Sequence, residues 1–328
     1  MRLRTSLLGC LALLLLTGWG HWGPRVKVGL SLDHLRWPLA DDFRKELADE
    51  HAELLVADAQ DDPAAQENEV KDLIRQGIQA LVVVPSDPAK ASDLVALAHQ
   101  AGLKVISLER LIPNSDLDYL IDFNYAKAGQ LQAQALVQKI PKGRYVLLGG
   151  DPADKTSQDL RTGQMKVLQP LIDRGDIQIA ASRWAESSGA EAETWRVLSQ
   201  DGNRVDAVLA SDNAAAEGAV QALEKAGLSG KVAVAGLGDD LAACRRIAAR
   251  SQTMTIYPSP PRLAEEAAYL AAKLARKATE FDCQFVEVDN GPRKVPAVLV
   301  SPLSVDAGNL DSTIVNDGVQ TKESVYGK

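Results

Sequence analysis

The sequence predicts an α/β protein with two parallel sheets, and three observations support this fold class. Short runs rich in valine, leucine and isoleucine alternate with longer helical stretches from residue 26 onward, which is typical of βαβ units. At 328 residues, with 46% hydrophobic and 24% charged residues, the chain can bury two ordinary hydrophobic cores. The alternation also repeats along the chain, so we expect two lobes of similar build.

The first series of elements begins after the N-terminal apolar region. Short apolar runs bounded by glycine, proline or aspartate indicate its strands, and stretches with helical spacing indicate its helices. Strands that are joined through helices pair in parallel. We predict strands over residues 26–32, 54–57, 80–85 and 104–108, and helices over 41–51, 66–76 and 91–101.

The second series repeats features of the first. Ser86-Asp87 closes a hydrophobic strand in the first series, and Ser211-Asp212 does so 125 residues later. The same offset relates Gly102 to Gly227, each of which follows a helix. Two βα units can share such features by chance, but a second sheet is expected in either case. Its strands are predicted over residues 145–148, 177–181, 207–210 and 232–235, with helices between them.

The N-terminus has the pattern of a secretory signal peptide over about residues 1–24. Arg2 and Arg4 precede an apolar run over residues 7–16, which is shorter than the roughly 20 residues that a membrane-spanning helix needs. Too few apolar residues precede Cys10 for a lipoprotein signal, so we do not expect a lipid anchor. We expect the protein to be exported to the periplasm after cleavage.

Charge and motifs exclude several classes of function. Loss of Arg2 and Arg4 takes the formal net charge from −8 to −10, which disfavours binding to nucleic acid or anionic membranes. The sequence has no Gly-x-Ser-x-Gly elbow, phosphate loop, Cys-x-x-Cys motif or histidine pair at metal-ligand spacing. The Gly-x-Gly at Gly236 lacks the third glycine of a dinucleotide-binding motif. We expect neither an enzyme nor a bound cofactor or metal.

Two cysteines remain after export, Cys244 and Cys283. In an oxidising compartment they could form a disulfide. Two buried, unpaired thiols are an equal alternative.

Polar clusters follow four of the predicted strands, where open parallel sheets bind ligands. The clusters are residues 33–37, the pair Glu109-Arg110, residues 149–154, and residues 211–213. A cation beside a carboxylate can bind hydroxyl groups through charge-assisted hydrogen bonds. Each cluster also has a structural explanation, because an exposed cap, a surface ion pair or a helix cap uses the same residue types.

Nearly all of the chain after the signal resembles the bacterial xylose-binding proteins, and residues 163–168, 221–232 and 246–255 carry the resemblance most clearly. That family has the type I periplasmic binding protein fold, in which two Rossmann-like lobes with parallel sheets are joined by three hinge crossovers. The resemblance implies a first lobe over residues 25–123 and 258–294, and a second lobe over residues 124–257 and 295–328.

The resemblance also implies a set of ligand-binding residues. The family's Arg-Trp pair after the first strand falls on Arg36 and Trp37, in a shorter loop. Its Asp-Arg pair after the fourth strand falls on Glu109 and Arg110. The remaining counterparts, all in the second lobe, are Asp154, Asp212 and Asn213.

Other positions depart from the family pattern. An asparagine, a tryptophan and a lysine of the family's pocket fall on Thr156, Ser188 and Pro258, and a Gln-Asp pair falls on Leu237 and Gly238. A missing partner for a buried polar group costs about 1–3 kcal/mol, so these changes leave the ligand's identity open.

The expected function is binding of a small polar ligand by closure of the two lobes. The resemblance implies a monosaccharide such as a pentose, or a polyol, which a monomeric binding protein delivers to an ABC permease in the inner membrane. The alternative is that the closed lobes signal to a membrane histidine kinase or chemoreceptor.

Overall fold

The computed structural model describes residues 25–184, 187–200 and 202–327, so the predicted signal peptide lies outside the described residues. The strands, in chain order, are β1 (Val26–Leu32), β2 (Ala52–Asp58), β3 (Ala80–Val83), β4 (Lys104–Leu108), β5 (Tyr119–Phe123), β6 (Gly143–Gly149), β7 (Ile177–Trp184), β8 (Ala207–Ala210), β9 (Ala233–Leu237), β10 (Met254–Tyr257), β11 (Phe285–Asn290), β12 (Arg293–Val300) and β13 (Leu303–Asp306).

Helices connect most of these strands, and aspartate side chains cap several helix N-termini. Asp62, Asp154, Asp212 and Asp240 each accept a backbone N–H from the first turn of the helix that follows. The helices are α1 (Trp37–Asp49), α2 (Pro63–Arg75), α3 (Ser92–Gln100), α4 (Tyr125–Lys139), α5 (Lys155–Asp173), α6 (Ala190–Gln200), α7 (Asn213–Lys225), α8 (Leu241–Ala248), α9 (Pro260–Ala275) and α10 (Lys322–Tyr326). Among the described residues, none of the helices combines the length and the apolar character that crossing a membrane requires.

The strands form two separate sheets. The first has the order β11-β12-β5-β4-β3-β1-β2, and every neighbouring pair is parallel except the β11–β12 hairpin. The second has the order β13-β10-β9-β8-β6-β7, with only β13 antiparallel to its neighbour. The predicted α/β class with two mostly parallel sheets is therefore confirmed.

The chain passes from one sheet to the other at three places. These are the short segment between β5 and α4, the segment between β10 and α9, and the turn between β12 and β13. The division inferred from the sequence placed residues 295–328 in the second lobe. That assignment is wrong for residues 295–300, because β12 pairs in parallel with β5 from Ala297 and Leu120 to Val300 and Phe123. β12 is also the second arm of a hairpin with β11, which holds it in the first sheet.

The two cysteines lie in different parts of the structure. Cys244 is buried with Tyr257 and Val305 in a cluster beside the second sheet, whereas Cys283 packs against the core of the first sheet. Both thiols are free, and burial raises the pKa of each to about 11. Of the two alternatives that the sequence left open, the structure therefore has two unpaired thiols and not the Cys244–Cys283 disulfide.

Candidate functional site

The polar clusters lie at the carboxyl ends of the parallel strands, as the sequence predicts. Asp33 follows β1 and Glu109 follows β4 in the first sheet, while Gly150 follows β6 and Ser211 follows β8 in the second. The carboxyl ends of the strands in a parallel sheet share one edge, so each sheet presents two of the four clusters along one edge.

Arg36 and Glu109 form a direct ion pair at the edge of the first sheet. The Nη1 atom of Arg36 donates to Oε2 of Glu109 at 2.9 Å and to Oε1 at 3.1 Å. Glu109 has a φ of 64°, a left-handed conformation that is uncommon outside glycine. Its N–H donates to the carbonyl of Ile121 on β5, which holds this turn against the sheet.

Asp33 connects the two arginines of the site. Its side chain is only 2% exposed. The Oδ1 atom lies 3.5 Å from Nη2 of Arg36, and the Oδ2 atom lies 3.3 Å from Nη2 of Arg110. Arg110 also donates from Nη1 to the carbonyl of Pro85 at 3.1 Å. Because Arg110 is 45% exposed, it keeps donor capacity toward solvent while these contacts fix its direction.

The first sheet thus brings together Arg36, Glu109 and Arg110, and it adds Asp33, which belonged to the first predicted cluster but not to the predicted binding residues. Trp37 begins α1, and its side chain lies outside the described part of the structure. An edge that offers guanidinium donors beside a carboxylate suits a ligand with several neighbouring hydroxyl groups.

Asp154 and Asp212 at the edge of the second sheet are helix caps. Asp154 accepts from the N–H and the hydroxyl of Ser157, both at 2.8 Å, and Asp212 accepts from the N–H of Ala215 at 2.7 Å. The capping alternative therefore accounts for these contacts. A ligand contact by either carboxylate stays a prediction.

Asn213 is buried against the end of the second sheet. Its Oδ1 accepts from the hydroxyl of Thr255 at 3.1 Å and from Nε2 of Gln252 at 3.3 Å. Its Nδ2 has no hydrogen-bond partner within the described ranges and lies against Gly238, where an added Cβ would stand 3.0 Å away. Gly238, one of the two residues that replace the family's Gln-Asp pair, has a φ of 125°. That backbone conformation favours glycine, so the local structure accounts for a glycine here.

Pro258, which stands where the family's pocket has a lysine, lies in the second crossing between the sheets. Ser259 has a φ of 57° and is fully buried. Asp317 accepts hydrogen bonds from the hydroxyls of Tyr257 and Ser259 at 3.0 and 3.2 Å. These bonds tie the C-terminal segment to the crossing.

Asp122 and Tyr125 flank the first crossing and were missed in the sequence. The pKa of Asp122 is raised to about 7, and burial is the largest cause. The N–H of Phe123 and the charge of Lys155 oppose this rise, whereas the carboxylates of Glu109 and Asp159 add to it. Burial also raises the pKa of Tyr125, with Asp122 and Glu109 adding to the effect. Asp122 interrupts the apolar run Tyr119–Phe123 of β5, which is the signal that could have marked it.

One group of side chains has the geometry of a metal site. The ligand atoms of Asp33, His34 and Asp61 lie within 4.8 Å of one another. The carboxylate of Asp33 is, however, already engaged by Arg36, Arg110 and the N–H of His34. Two neighbouring guanidinium groups oppose a cation electrostatically, so these residues do not suit a metal.

Comparison with known proteins gives a consistent result. A family model described as "Periplasmic binding protein domain" matches residues 36–279. The chain is 39% identical to the D-xylose-binding periplasmic protein of Haemophilus influenzae, over 99% of this chain and 100% of that protein. It is 37% identical to the D-xylose-binding periplasmic protein of Escherichia coli K12, over 99% of both chains.

The fold is similar to that of solved solute-binding proteins. A structure of an ABC transporter solute-binding protein from Clostridium phytofermentans with bound β-D-glucose matches with a TM-score of 0.71 and 25% identity. The match covers 91% of this chain and 99% of that one.

Proposed function

The chain belongs to the periplasmic binding protein family, and from that premise we propose that it binds a monosaccharide of the pentose type between its two sheets. Most of its length matches proteins named for D-xylose binding, and solved neighbours of the same fold hold sugars. The family consists of solute-binding proteins, and we infer that this member has no catalytic activity.

The observation that carries the proposal is the connected group of Asp33, Arg36, Glu109 and Arg110. Buried Asp33 holds both guanidinium groups before any ligand arrives, and both carboxylate oxygens of Glu109 accept from Nη1 of Arg36. Preorganised donors lose little side-chain entropy on binding, so more of their hydrogen-bond energy contributes to affinity. The hydroxyls of a sugar can accept from Arg110 and donate to Glu109.

We further propose export to the periplasm and delivery of the ligand to an ABC permease by a monomeric protein. The signal-like pattern of residues 1–24 and the family's location support export. Asp154, Asp212 and Asn213 would approach the ligand from the second sheet when the lobes close.

A sensing role is the second candidate function. One relative, 30% identical over 79% of this chain, is named a multiple sugar-binding periplasmic receptor. Transport predicts that deletion of the gene abolishes uptake of the radiolabelled ligand. Sensing predicts that uptake persists while ligand-dependent gene expression or chemotaxis is lost.

The direct test is a thermal-shift screen against four sugars (D-xylose, D-ribose, D-glucose and D-allose) and the cyclic polyol myo-inositol, followed by calorimetry with the sugar that raises Tm most. We expect Arg110→Ala to abolish that shift. Arg75→Ala is the matched control, because Arg75 is an exposed, ion-paired arginine on α2. No shift with any sugar would contradict the proposal, and wild-type affinity in Arg110→Ala would contradict the site.

A further inference from the structure

Trp184 lies at the carboxyl end of β7, the edge strand of the second sheet. It is the last residue of β7, and the register of the parallel pair β6–β7 places it directly opposite Gly149. Gly149 begins the cluster of residues 149–154 that ends at Asp154. The indole therefore stands at the same strand ends as this predicted ligand-contact loop, and it is 39% exposed.

Arg161 of α5 holds the indole from one side. Its guanidinium carbon lies 4.9 Å from the centre of the Trp184 ring, a cation–π distance. Its Nη1 donates to the hydroxyl of Ser182 at 2.7 Å. Ser182 and Trp184 are two residues apart on β7, so they project from the same face of the strand toward Arg161.

Gly149 makes this close arrangement possible. A Cβ at that position would lie 2.9 Å from Nη2 of Arg161 and 3.0 Å from Cε3 of Trp184. Any other residue would push the guanidinium and the indole out of their present positions. Three elements, β6, β7 and α5, therefore contribute to fixing one exposed ring.

The arrangement is unfavourable for Arg161 itself. Its Nε and Nη2 atoms are buried and find no hydrogen-bond partner in the part of the chain that the structure describes. Burial alone lowers the pKa of the guanidinium to about 10. A buried cation without a carboxylate partner destabilises a fold, so packing does not explain an arginine at this position.

We propose that the Trp184 ring is the apolar ligand-contact surface of the second sheet and that Arg161 is a positioning residue that fixes the ring's orientation. This inference rests on the proposed function, because it names a further contact for the same ligand. A pyranose has hydroxyl-bearing edges and an apolar C–H face. The first sheet offers charged partners for the hydroxyls, and the indole offers a flat apolar surface for the C–H face.

The primary experiment compares Trp184→Ala with Trp195→Ala by calorimetry, using whichever of the four named sugars raises the wild-type Tm most. Trp195 is a matched control, because it is also exposed (46%) but lies on α6. Loss of one stacked aromatic surface should raise Kd by about tenfold in Trp184→Ala. Trp184→Phe should recover part of that loss, and Trp195→Ala should bind as the wild type does.

Arg161→Met separates a positioning role from a structural one. Methionine keeps an extended side chain beside the indole but removes the unpartnered buried charge. We expect Tm to stay unchanged or to rise, while Kd rises because the ring is no longer fixed. A lower Tm with an unchanged Kd would instead show that Arg161 supports the fold alone.

The two proposals fail in distinguishable ways. If the wild type responds to no sugar, the proposed function is overturned and the inference with it. If the wild type binds and Trp184→Ala binds with the same Kd, only the inference is overturned.

Discussion

Arg36, Glu109 and Arg110 at the edge of the first sheet contact one another or share Asp33, whereas Asp154 and Asp212 at the edge of the second sheet contact the helices that follow them. The same residue types at equivalent strand ends therefore have different structural roles. Polar character at a strand end places a side chain at the carboxyl edge of the sheet, but its hydrogen-bond and ion-pair partners decide whether it is free to contact a ligand there.

The largest effect that would test this comparison is expected for Asp33→Ala. Removal of the buried carboxylate leaves two part-exposed arginines without their shared partner, and the loss of hydrogen bonds from charged groups costs up to about 3 kcal/mol. We expect a lower Tm by calorimetry together with loss of sugar binding. If Asp33→Ala bound the sugar with wild-type affinity, the first-sheet group would not depend on its buried centre.

An intermediate, pH-dependent effect is expected for Asp122→Asn at the first crossing. The folded-state pKa of Asp122 is raised to about 7, so its stabilising contribution is fully present below the unfolded pKa of about 4 and is lost as pH rises through about 7. Asparagine can still accept from the N–H of Phe123 but carries no charge. We expect it to stabilise the protein by on the order of 2 kcal/mol at pH 8 and much less at pH 5.

Urea denaturation at the two pH values measures this difference. Asp159→Asn is a useful control, because Asp159 is one of the carboxylates that raise the pKa of Asp122. Asp159→Asn should move the pH range over which the free energy of unfolding changes, but that change with pH should remain. Equal stabilisation by Asp122→Asn at pH 5 and pH 8 would contradict the raised pKa.

The smallest effect is expected at the second-sheet edge, where Asp212→Ala removes a helix cap. Loss of an aspartate cap costs about 1 kcal/mol, and Asp212→Asn should restore most of it. A matching rise in Kd that Asp212→Asn does not rescue would show that the carboxylate also contacts the ligand. Unfolding and calorimetric titration of the same two variants separate these roles.

Much of the fold could be predicted from the sequence, because hydrophobic periodicity is a local signal. The predicted strands at residues 26–32, 104–108 and 207–210 match the observed bounds of β1, β4 and β8. The interleaving of the sheets depends on long-range pairing, and the resemblance supplied it. The division of lobes that the resemblance implied placed residues 295–300 in the wrong lobe. The pairing of β12 with β5 cannot be read from the local sequence pattern of either strand.

The site was predictable in part for the same reason. The predicted strand ends placed Arg36, Glu109 and Arg110 at one edge of the first sheet, and the structure brings them together there. Their contact with a ligand stays a prediction. The role of Asp33, the burial of Asn213 and the separation of Cys244 from Cys283 depend on which side chains meet in space. A sequence shows these residues as neighbours of strands and helices but not as partners of one another.

The hydrogen bonds of Asp317 with Tyr257 and Ser259 suggest where a fluorescent label could be attached to turn the protein into a ligand sensor. The C-terminal segment is tied to the second crossing through two hydroxyl groups, so it is fixed to one of the three connections between the sheets. If the proposed closure moves this crossing, the signal of a fluorophore attached near residue 317 should change when the ligand binds. Truncation before that residue would free the crossing and leave the hinge looser.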